Sequence, residues 1–532
     1  MHFGVRLSNL AAQRGGHAAV VDDTGTWSYR HFHARITRFG NALRGLGLDE
    51  GNRVALLMPD IREYLEADYA VMAAGLVRVP LDPRLTRADL IALLRHAGAR
   101  ALVTHASFAE TCDGLRDEVA GLEHIIGAGG AAGLDYETLL QRASESALPD
   151  ADGEALATLN FSGGTTGAPK ATMLRHRNLA TVAATTARGF EIDPDAVFLN
   201  VRPLWPIAQV ILMSHLYAGA TVVLRRFDPE RFAAVVKETG ATRTSLVPTQ
   251  LVRCLDHVQE HDPRFERLQA VYVGGSRIPP GMFERALDAI GPKIGVLYGL
   301  TEAPVTCYMP PRTLDTDASR RSRLIQSVGR VLPGYEVKLD GAEGGLATSG
   351  EVLIKGGNVM AGYWRDEAAT RGALRDGWLH TGDIGQFDGE GFLSIVGRLK
   401  EVIRTGATTV VPKEVEDVIL LHPAVAEVAV LGLPDAEWGE AVTAFVVVKP
   451  DASVSEHDLI EHCRARLAGF KKPRAVRFVP SLPRSHYGKV LRAQLLESVT
   501  QQGGVTASEP LAIAPSPLAG ESSRSGSITK NE

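Results

Sequence analysis

The chain opens on an alternation of amphipathic and wholly apolar stretches. Phe32, Ile36, Phe39 and Leu43 recur every three to four residues, the spacing that gathers apolar side chains on one face of a helix. Ser28 stands where its hydroxyl can accept from a first-turn backbone N–H, and Gly45 and Gly47 supply an end. Residues 54–58 form a short continuous apolar run, which predicts a strand buried on both faces. A helical pattern over 62–74 leads to a further short segment at 77–80. Thr86, with Asp89 three residues on, predicts the start of a further helix, and 101–104 predict the next strand. Strand and helix alternating at this interval predict mostly parallel sheets covered by helices.

The alternation continues from about 155 to 330, with strands predicted at 220–224 and 268–273. Gly127-Ala-Gly-Gly-Ala-Ala132 is spaced somewhat like a dinucleotide-binding turn. No substantial helix opens on it, because the periodic pattern restarts only at Asp135, so it reads as a surface loop. Glycines and short β-like runs over 333–396 predict a small barrel or sheet. After Arg398 the pattern becomes α+β, with helices predicted at 413–421 and 455–467 and strands at 425–431 and 441–448. The expected fold class is therefore α/β. A large N-terminal domain over 1–397 would hold two mostly parallel, helix-covered sheets plus a small β-barrel-like part. A small, mobile α+β C-terminal domain would cover 398–496. The Ser/Pro/Gly/Ala-rich remainder, 497–532, has no period and is predicted to be a disordered tail.

Composition narrows the function classes. A chain of 532 residues is too long for one core, which agrees with two domains or more. With 45% hydrophobic and 22% charged residues it is ordinary for a soluble globular protein. A formal charge of −5 gives no reason to expect a nucleic-acid partner. No apolar run reaches membrane-spanning length, and residues 1–20 lack a signal-peptide core, so a cytoplasmic protein is expected. Cys112, Cys254, Cys307 and Cys463 are far apart and form no Cys-x-x-Cys pair; they are expected to be buried thiols rather than disulfides or a zinc site.

The chemistry is concentrated in Asn160-Phe-Ser-Gly-Gly-Thr-Thr-Gly-Ala-Pro-Lys170. Ser162, Gly163, Gly164, Thr165, Thr166 and Gly167 put three glycines and three hydroxyls in six consecutive positions. Glycine lets backbone N–H groups turn towards one point with no Cβ in the way. Such N–H groups, with the threonine hydroxyls added, make a cradle for phosphate oxygens. Lys170 can supply the positive charge that a triphosphate needs. The spacing Gly-x-x-x-x-Gly-Lys-Ser/Thr is absent, so this is not the usual P-loop.

This string resembles the phosphate loop of adenylate-forming enzymes, which include acyl- and aryl-CoA synthetases, peptide-synthetase adenylation domains and luciferases. Four further segments resemble that family's motifs in the family's order: Tyr298-Gly-Leu-Thr-Glu302, Gly377-Trp-Leu-His-Thr-Gly-Asp383, Gly397-Arg-Leu-Lys-Glu-Val-Ile403 and Gly488-Lys489. Together they span roughly residues 5–495. The resemblance implies an ATP- and Mg²⁺-dependent ligase that activates a carboxylic acid as an acyl-adenylate and releases pyrophosphate. It then passes the acyl group to a thiol, either CoA or a carrier protein's phosphopantetheine. In that scheme Thr165, Thr166, Gly167 and Lys170 hold the β- and γ-phosphates. Tyr298 stacks near adenine, with Gly274, Gly275 and Ser276 lining the same slot. Thr301 touches the α-phosphate, Glu302 ligates the magnesium, and Asp383 and Arg398 bind the ribose hydroxyls. Lys489 bridges acid and α-phosphate during adenylation, and the C-terminal domain then swings about Lys400 and withdraws it. Trp205, Pro206, Val247 and Met309 are candidate walls of the acid pocket.

The chain departs from the family pattern at several places. Pro206 stands where the family often has a histidine beside the acid, so the acid would be held differently, with Trp205 as a wall. Ala407 adds a methyl where pantetheine passes in synthetases, and a β-methyl in a tight channel can cost about 1–3 kcal/mol. Ala171 replaces the glycine that usually follows the loop lysine, and Ser485-His-Tyr487 replaces the usual approach to Gly488; His486 reads as a surface residue. Three acceptor chemistries therefore stay open: CoA, a carrier-protein arm, or an aromatic amine receiving adenylylated nitrite, as in diazotases. A non-catalytic adenylate-binding relative is the reading from a different class.

Overall fold

The computed structural model describes residues 3–162, 170–205, 209–341, 349–406, 408–484, 490–492 and 494–497. The expected disordered tail lies outside them except for its first residue. Among the described residues the strands form four sheets.

The first has eight strands. Its middle, Leu156–Ser162, Val77–Pro80, Arg53–Leu57, Ala99–His105 and His124–Ala128, is parallel, as the alternation of strand and helix predicted. Val54, Ala55, Leu56 and Leu57 are all buried because helices cover both faces. At one edge Lys170–Arg175 and then Gly362–Tyr363 are added antiparallel. The second sheet has nine strands, with Thr221–Leu224, Val197–Asn200, Arg243–Leu246, Ala270–Gly274 and Ile294–Tyr298 parallel in that spatial order. The third is a five-stranded antiparallel half-barrel that includes Tyr335–Asp340, Ser349–Gly356, Trp378–Phe387 and Leu393–Arg398. The fourth belongs to the C-terminal domain, where Gly439–Val448 pairs with Val425–Asp435, Ile403–Thr405 and Ala475–Phe478. Val415, Ile419, Leu459 and Cys463 of the two covering helices pack against it.

Local chemistry explains the boundaries. Ser28 caps the helix Tyr29–Gly45 by accepting from the His31 backbone N–H, and Phe32, Ile36, Phe39 and Leu43 are buried on its inner face. Thr86 caps Arg87–Ala97 in the same way. The glycine cluster at 127–132 differs in part from expectation, because Gly127 belongs to the strand His124–Ala128. A side chain there would clash with Ala131, whose carbonyl oxygen lies 2.6 Å from an added Cβ, so this glycine serves a close turn. Asp135 restarts the helical pattern as read, accepting from Thr138 N–H. All four cysteines are free and buried.

One buried polar group sits on the strand paired beside Leu156–Ser162, the strand that leads into the glycine- and hydroxyl-rich string. Arg78 is 3% exposed; its Nη1 donates to Asp68 Oδ1 at 2.6 Å, its Nε to Thr158 Oγ1 at 3.1 Å and its Nη2 to Asn160 Oδ1 at 3.3 Å. The guanidinium thus fixes two side chains of the strand that leads into Gly163. Removing one partner of a buried pair leaves the other uncompensated, at roughly 3–5 kcal/mol. Asp68→Ala is expected to lower the first unfolding transition in urea by about that amount. A loss below about 1 kcal/mol would mean that the pair does not organise this strand.

Candidate active site

Ser162 and Lys170 face each other in an antiparallel ladder, so residues 163–169 connect two paired positions. Gly163, Gly164, Thr165, Thr166 and Gly167 themselves lie outside the described residues, as do Pro206, Ala407, His486 and Lys489. The site is built from what surrounds them.

Lys170 starts its strand exposed, with Nζ 4.9 Å from the centroid of the Tyr363 ring. Tyr363 is in register with Thr172 on the neighbouring two-residue strand, which sets the ring beside the lysine. The phenol of Tyr363 donates to Glu302 Oε1 at 2.8 Å. Lys170 and Glu302, 132 positions apart in the chain, are thereby brought to one tyrosine. Burial, and then the neighbouring Glu302 charge, push the Tyr363 phenol well above its ordinary pKa, so it stays a donor. A carboxylate has more lone pairs than one phenol uses. Glu302 therefore fits the part of a hard oxygen ligand for magnesium.

Tyr298 ends its strand 9% exposed, and its phenol donates to Asp383 Oδ2 at 2.7 Å. The other carboxylate oxygen of Asp383 meets Arg398 Nε at 2.8 Å. Asp383 and Arg398 are direct cross-strand partners on the half-barrel, which explains why residues fifteen apart in sequence meet. Asp383 is 2% exposed, whereas the Arg398 side chain is 45% exposed and reaches outward. Gly274 lies opposite Leu297 in the ladder, one residue before Tyr298. A Cβ on Gly274 would fall 2.4 Å from Leu297 Cδ1, and Gly275, at φ +91°, has open space around it. Gly274 thus lies next to the Tyr298 position, and Gly275 and Ser276, which follow it, are exposed.

The turn carrying Thr301 and Glu302 is tightly held. A Cβ on Gly299 would lie 2.4 Å from the Val305 backbone nitrogen, so only glycine lets the turn close. Val305 is buried at φ +47°, an uncommon and strained conformation for a β-branched residue. Buried Asn358 opposes that strain. Its Nδ2 donates to Pro304 O at 3.2 Å and to Thr306 Oγ1 at 3.0 Å. Glu351 supports the opposite side, accepting from Gly382 N–H at 2.9 Å next to Asp383. Sequence reading missed Tyr363, Asn358 and Glu351. Their only signal was position, in glycine-rich stretches of the half-barrel segment.

Of the candidate pocket walls, Trp205 is buried with Arg84 5.1 Å from its ring centroid. The preceding Leu204 N–H donates to Asp60, whose carboxyl burial pushes up to about 6. Val247 precedes the helix Pro248–Leu255 and is half-buried. Met309 is fully buried in the apolar cluster with Ile294, Leu314 and Leu324. Lys400 is exposed in the short turn Leu399–Glu401 that follows Arg398. Arg484 and Val490 bridge antiparallel on either side of 485–489, and Arg492 pairs with Glu416 at 2.5 Å and with Glu401 at 3.4 Å.

The model of the AMP-binding enzyme family matches residues 7–364, and that of the AMP-binding enzyme C-terminal domain matches 414–489. The chain belongs to the AMP-binding enzyme family. It is 32% identical over 514 residues to a CoA ligase for a methyl-dioxo-octahydro-indenyl propanoyl group from Rhodococcus jostii (strain RHA1), covering 92% of this chain and 97% of that one. It is 33% identical over 495 residues to a feruloyl-CoA synthase of an Amycolatopsis species, covering 91% and 96%. The structure of ATP-bound MatB from Rhodopseudomonas palustris superposes with a TM-score of 0.84 at 30% identity, covering 94% of this chain and all of that one. This family member is an ATP-dependent, AMP-forming ligase of the adenylate-forming superfamily, with acyl-CoA ligases as its homologues. The diazotase alternative gains no support from these relatives. No helix of the described residues is long and apolar enough to cross a membrane.

Gly299→Ala should push the Val305 side of the turn away and misplace Thr301 and Glu302. ATP–pyrophosphate exchange is expected to fall at least about tenfold, equivalent to 1.4 kcal/mol in the barrier, with ATP binding weakened less. Unchanged exchange in a folded variant would show that the turn tolerates a Cβ.

Proposed function

We propose that this enzyme activates a carboxylic acid with an apolar body as its acyl-adenylate and transfers the acyl group to the thiol of CoA. The observation that carries this reading is the gathering of Lys170 and Glu302 on Tyr363, and of Tyr298 and Arg398 on Asp383. One cluster offers a cation and a carboxylate suited to phosphates and their metal. The other offers a buried carboxylate and an outward guanidinium suited to ribose hydroxyls. Trp205 and Val247 give the acid an apolar surrounding, and both curated relatives named above are CoA ligases for acids with ring systems.

In the first half-reaction a carboxylate oxygen attacks the α-phosphorus of ATP and the bond to the β-phosphate bridging oxygen breaks. Pyrophosphate leaves with that bond's electrons. Tyr298 and Gly274 to Ser276 hold the adenine, Asp383 and Arg398 the ribose, and Thr301 the α-phosphate. Lys170, Thr165, Thr166 and Gly167 take the β- and γ-phosphates; Glu302 would hold a Mg²⁺ ion, which would supply positive charge to offset the phosphates. Lys489 bridges the attacking oxygen and the α-phosphate. Alignment and charge neutralisation are what phosphoryl chemistry asks of a protein. The second half-reaction joins the thiol sulfur to the acyl carbon, expels AMP and releases the thiol proton. The C-terminal domain turns about Lys400 between the two.

Mass spectrometry of reactions containing ATP, Mg²⁺, CoA and a panel of hydroxycinnamates, alicyclic propanoates and fatty acids is expected to give an acyl-CoA and AMP. ADP and orthophosphate as products would defeat the proposal. Thioester formed only on a phosphopantetheine-bearing carrier protein would move the acceptor from CoA to that arm. In the same assay Lys489→Ala is expected to abolish adenylation, by about 100-fold or more as for loss of a transition-state electrostatic contact, while ATP affinity changes little. Equal adenylation by variant and parent would remove Lys489 from that role.

A further inference from the structure

We infer that Arg277 is a positioning residue. Its ion pair with Asp417 fastens the C-terminal domain to the rim of the nucleotide slot and so sets the balance between the two half-reactions. The inference rests on the two-step ligase reading above. Arg277 directly follows Gly274-Gly275-Ser276, the segment beside Tyr298. Its Nη1 donates to Asp417 Oδ2 at 2.6 Å, although the two residues are 140 positions apart. Asp417 lies on Pro412–Leu420, the first helix of the C-terminal domain. The pair is partly shielded, with side chains 22% and 34% exposed, so it is screened less than a surface pair.

Two further contacts turn this pair into a lever. Lys413, one turn earlier, donates from Nζ to the other oxygen of Asp417 at 3.0 Å. Lys413 is itself half-buried. One carboxylate therefore neutralises two cations, one from each side of the domain boundary. Without it, Arg277 and Lys413 would repel each other across that boundary. The adjacent Glu416 accepts from Arg492 Nη2 at 2.5 Å, three residues past Lys489. A single helix thus grips the slot rim through Asp417 and the end of the late-lysine segment through Glu416. A rotation about Lys400 that carries this helix away has to break the Arg277–Asp417 pair, so the strength of the pair weights the pose seen here against the alternative.

The test compares parent, Arg277→Ala, Asp417→Ala and the exchange Arg277→Asp/Asp417→Arg in two assays. One is ATP–pyrophosphate exchange; the other is single-turnover thioester formation from added acyl-adenylate and CoA. Each single variant is expected to change the ratio of the two rates at least fivefold, with Asp417→Ala the larger effect, and the exchange should return the ratio to within twofold of the parent. Because the native cysteines are buried, spin labels at Gln259→Cys and His457→Cys, both exposed positions, report the interdomain distance without any turnover. Arg277→Ala is expected to add or enlarge a second distance population. An unchanged ratio together with an unchanged distance distribution would overturn the inference, as would an exchange variant no better than the singles. Absence of pyrophosphate exchange in the parent would instead count against the ligase reading, and the distance measurement would still decide the role of Arg277. Arg277→Lys, which keeps the charge, should resemble the parent; if it behaves like Arg277→Ala, charge is not what holds the pose.

Discussion

The architecture of the site depends on one buried carboxylate. Asp383 is held between the Tyr298 phenol and the Arg398 guanidinium, and these three residues come from the last parallel strand of the nine-stranded sheet and from two strands of the half-barrel. An ionised side chain 2% exposed is tolerated only when its oxygens are occupied. The pairing therefore fixes the barrel against the sheet. Arg398 is also the last residue before the turn that holds Lys400, so the same carboxylate anchors the chain directly ahead of that turn.

The opposite wall follows a similar rule. Glu302 sits on a turn that closes only because position 299 lacks a Cβ and because Asn358 holds a strained Val305 in place. Tyr363 then ties Glu302 to the lysine at the end of the phosphate loop. From the paired strand, Arg78 pins the strand leading into that loop. Each feature restricts motion at the point where a polyanionic nucleotide would need donors already aimed. Pre-aimed donors need little rearrangement when the transition state forms, which is where electrostatic catalysis gains most.

Much of this was legible in the chain. The 3.6-residue period with Ser28 and Thr86 at the caps placed the helices, and apolar runs such as 54–58 placed buried parallel strands, because both signals are local. The hydroxyl- and glycine-rich string stood out by its residue types, whereas the Tyr-Gly-Leu-Thr-Glu segment and Asp383 with Arg398 were picked out by their resemblance to the family's motifs. By contrast, 127–132 read as loop throughout, although Gly127 is in a strand. Its need for glycine comes from Ala131 pressing on it in three dimensions, which no spacing records.

The sequence by itself determined many of the helices and strands and the change to α+β after Arg398, since these follow from local propensity and periodicity, while its motifs, in the family's order, carried the resemblance to adenylate-forming enzymes. Tertiary structure alone decided that Tyr363 joins Lys170 to Glu302, that Asn358 and Glu351 support the turns, that Met309 sits within an apolar core cluster, and that Arg277 meets Asp417. The hydrogen bonds and ion contacts among these link residues from 31 to 193 positions apart. Their existence depends on how sheets pack and twist against one another, and a polar side chain gives no local sign of which distant partner will satisfy it.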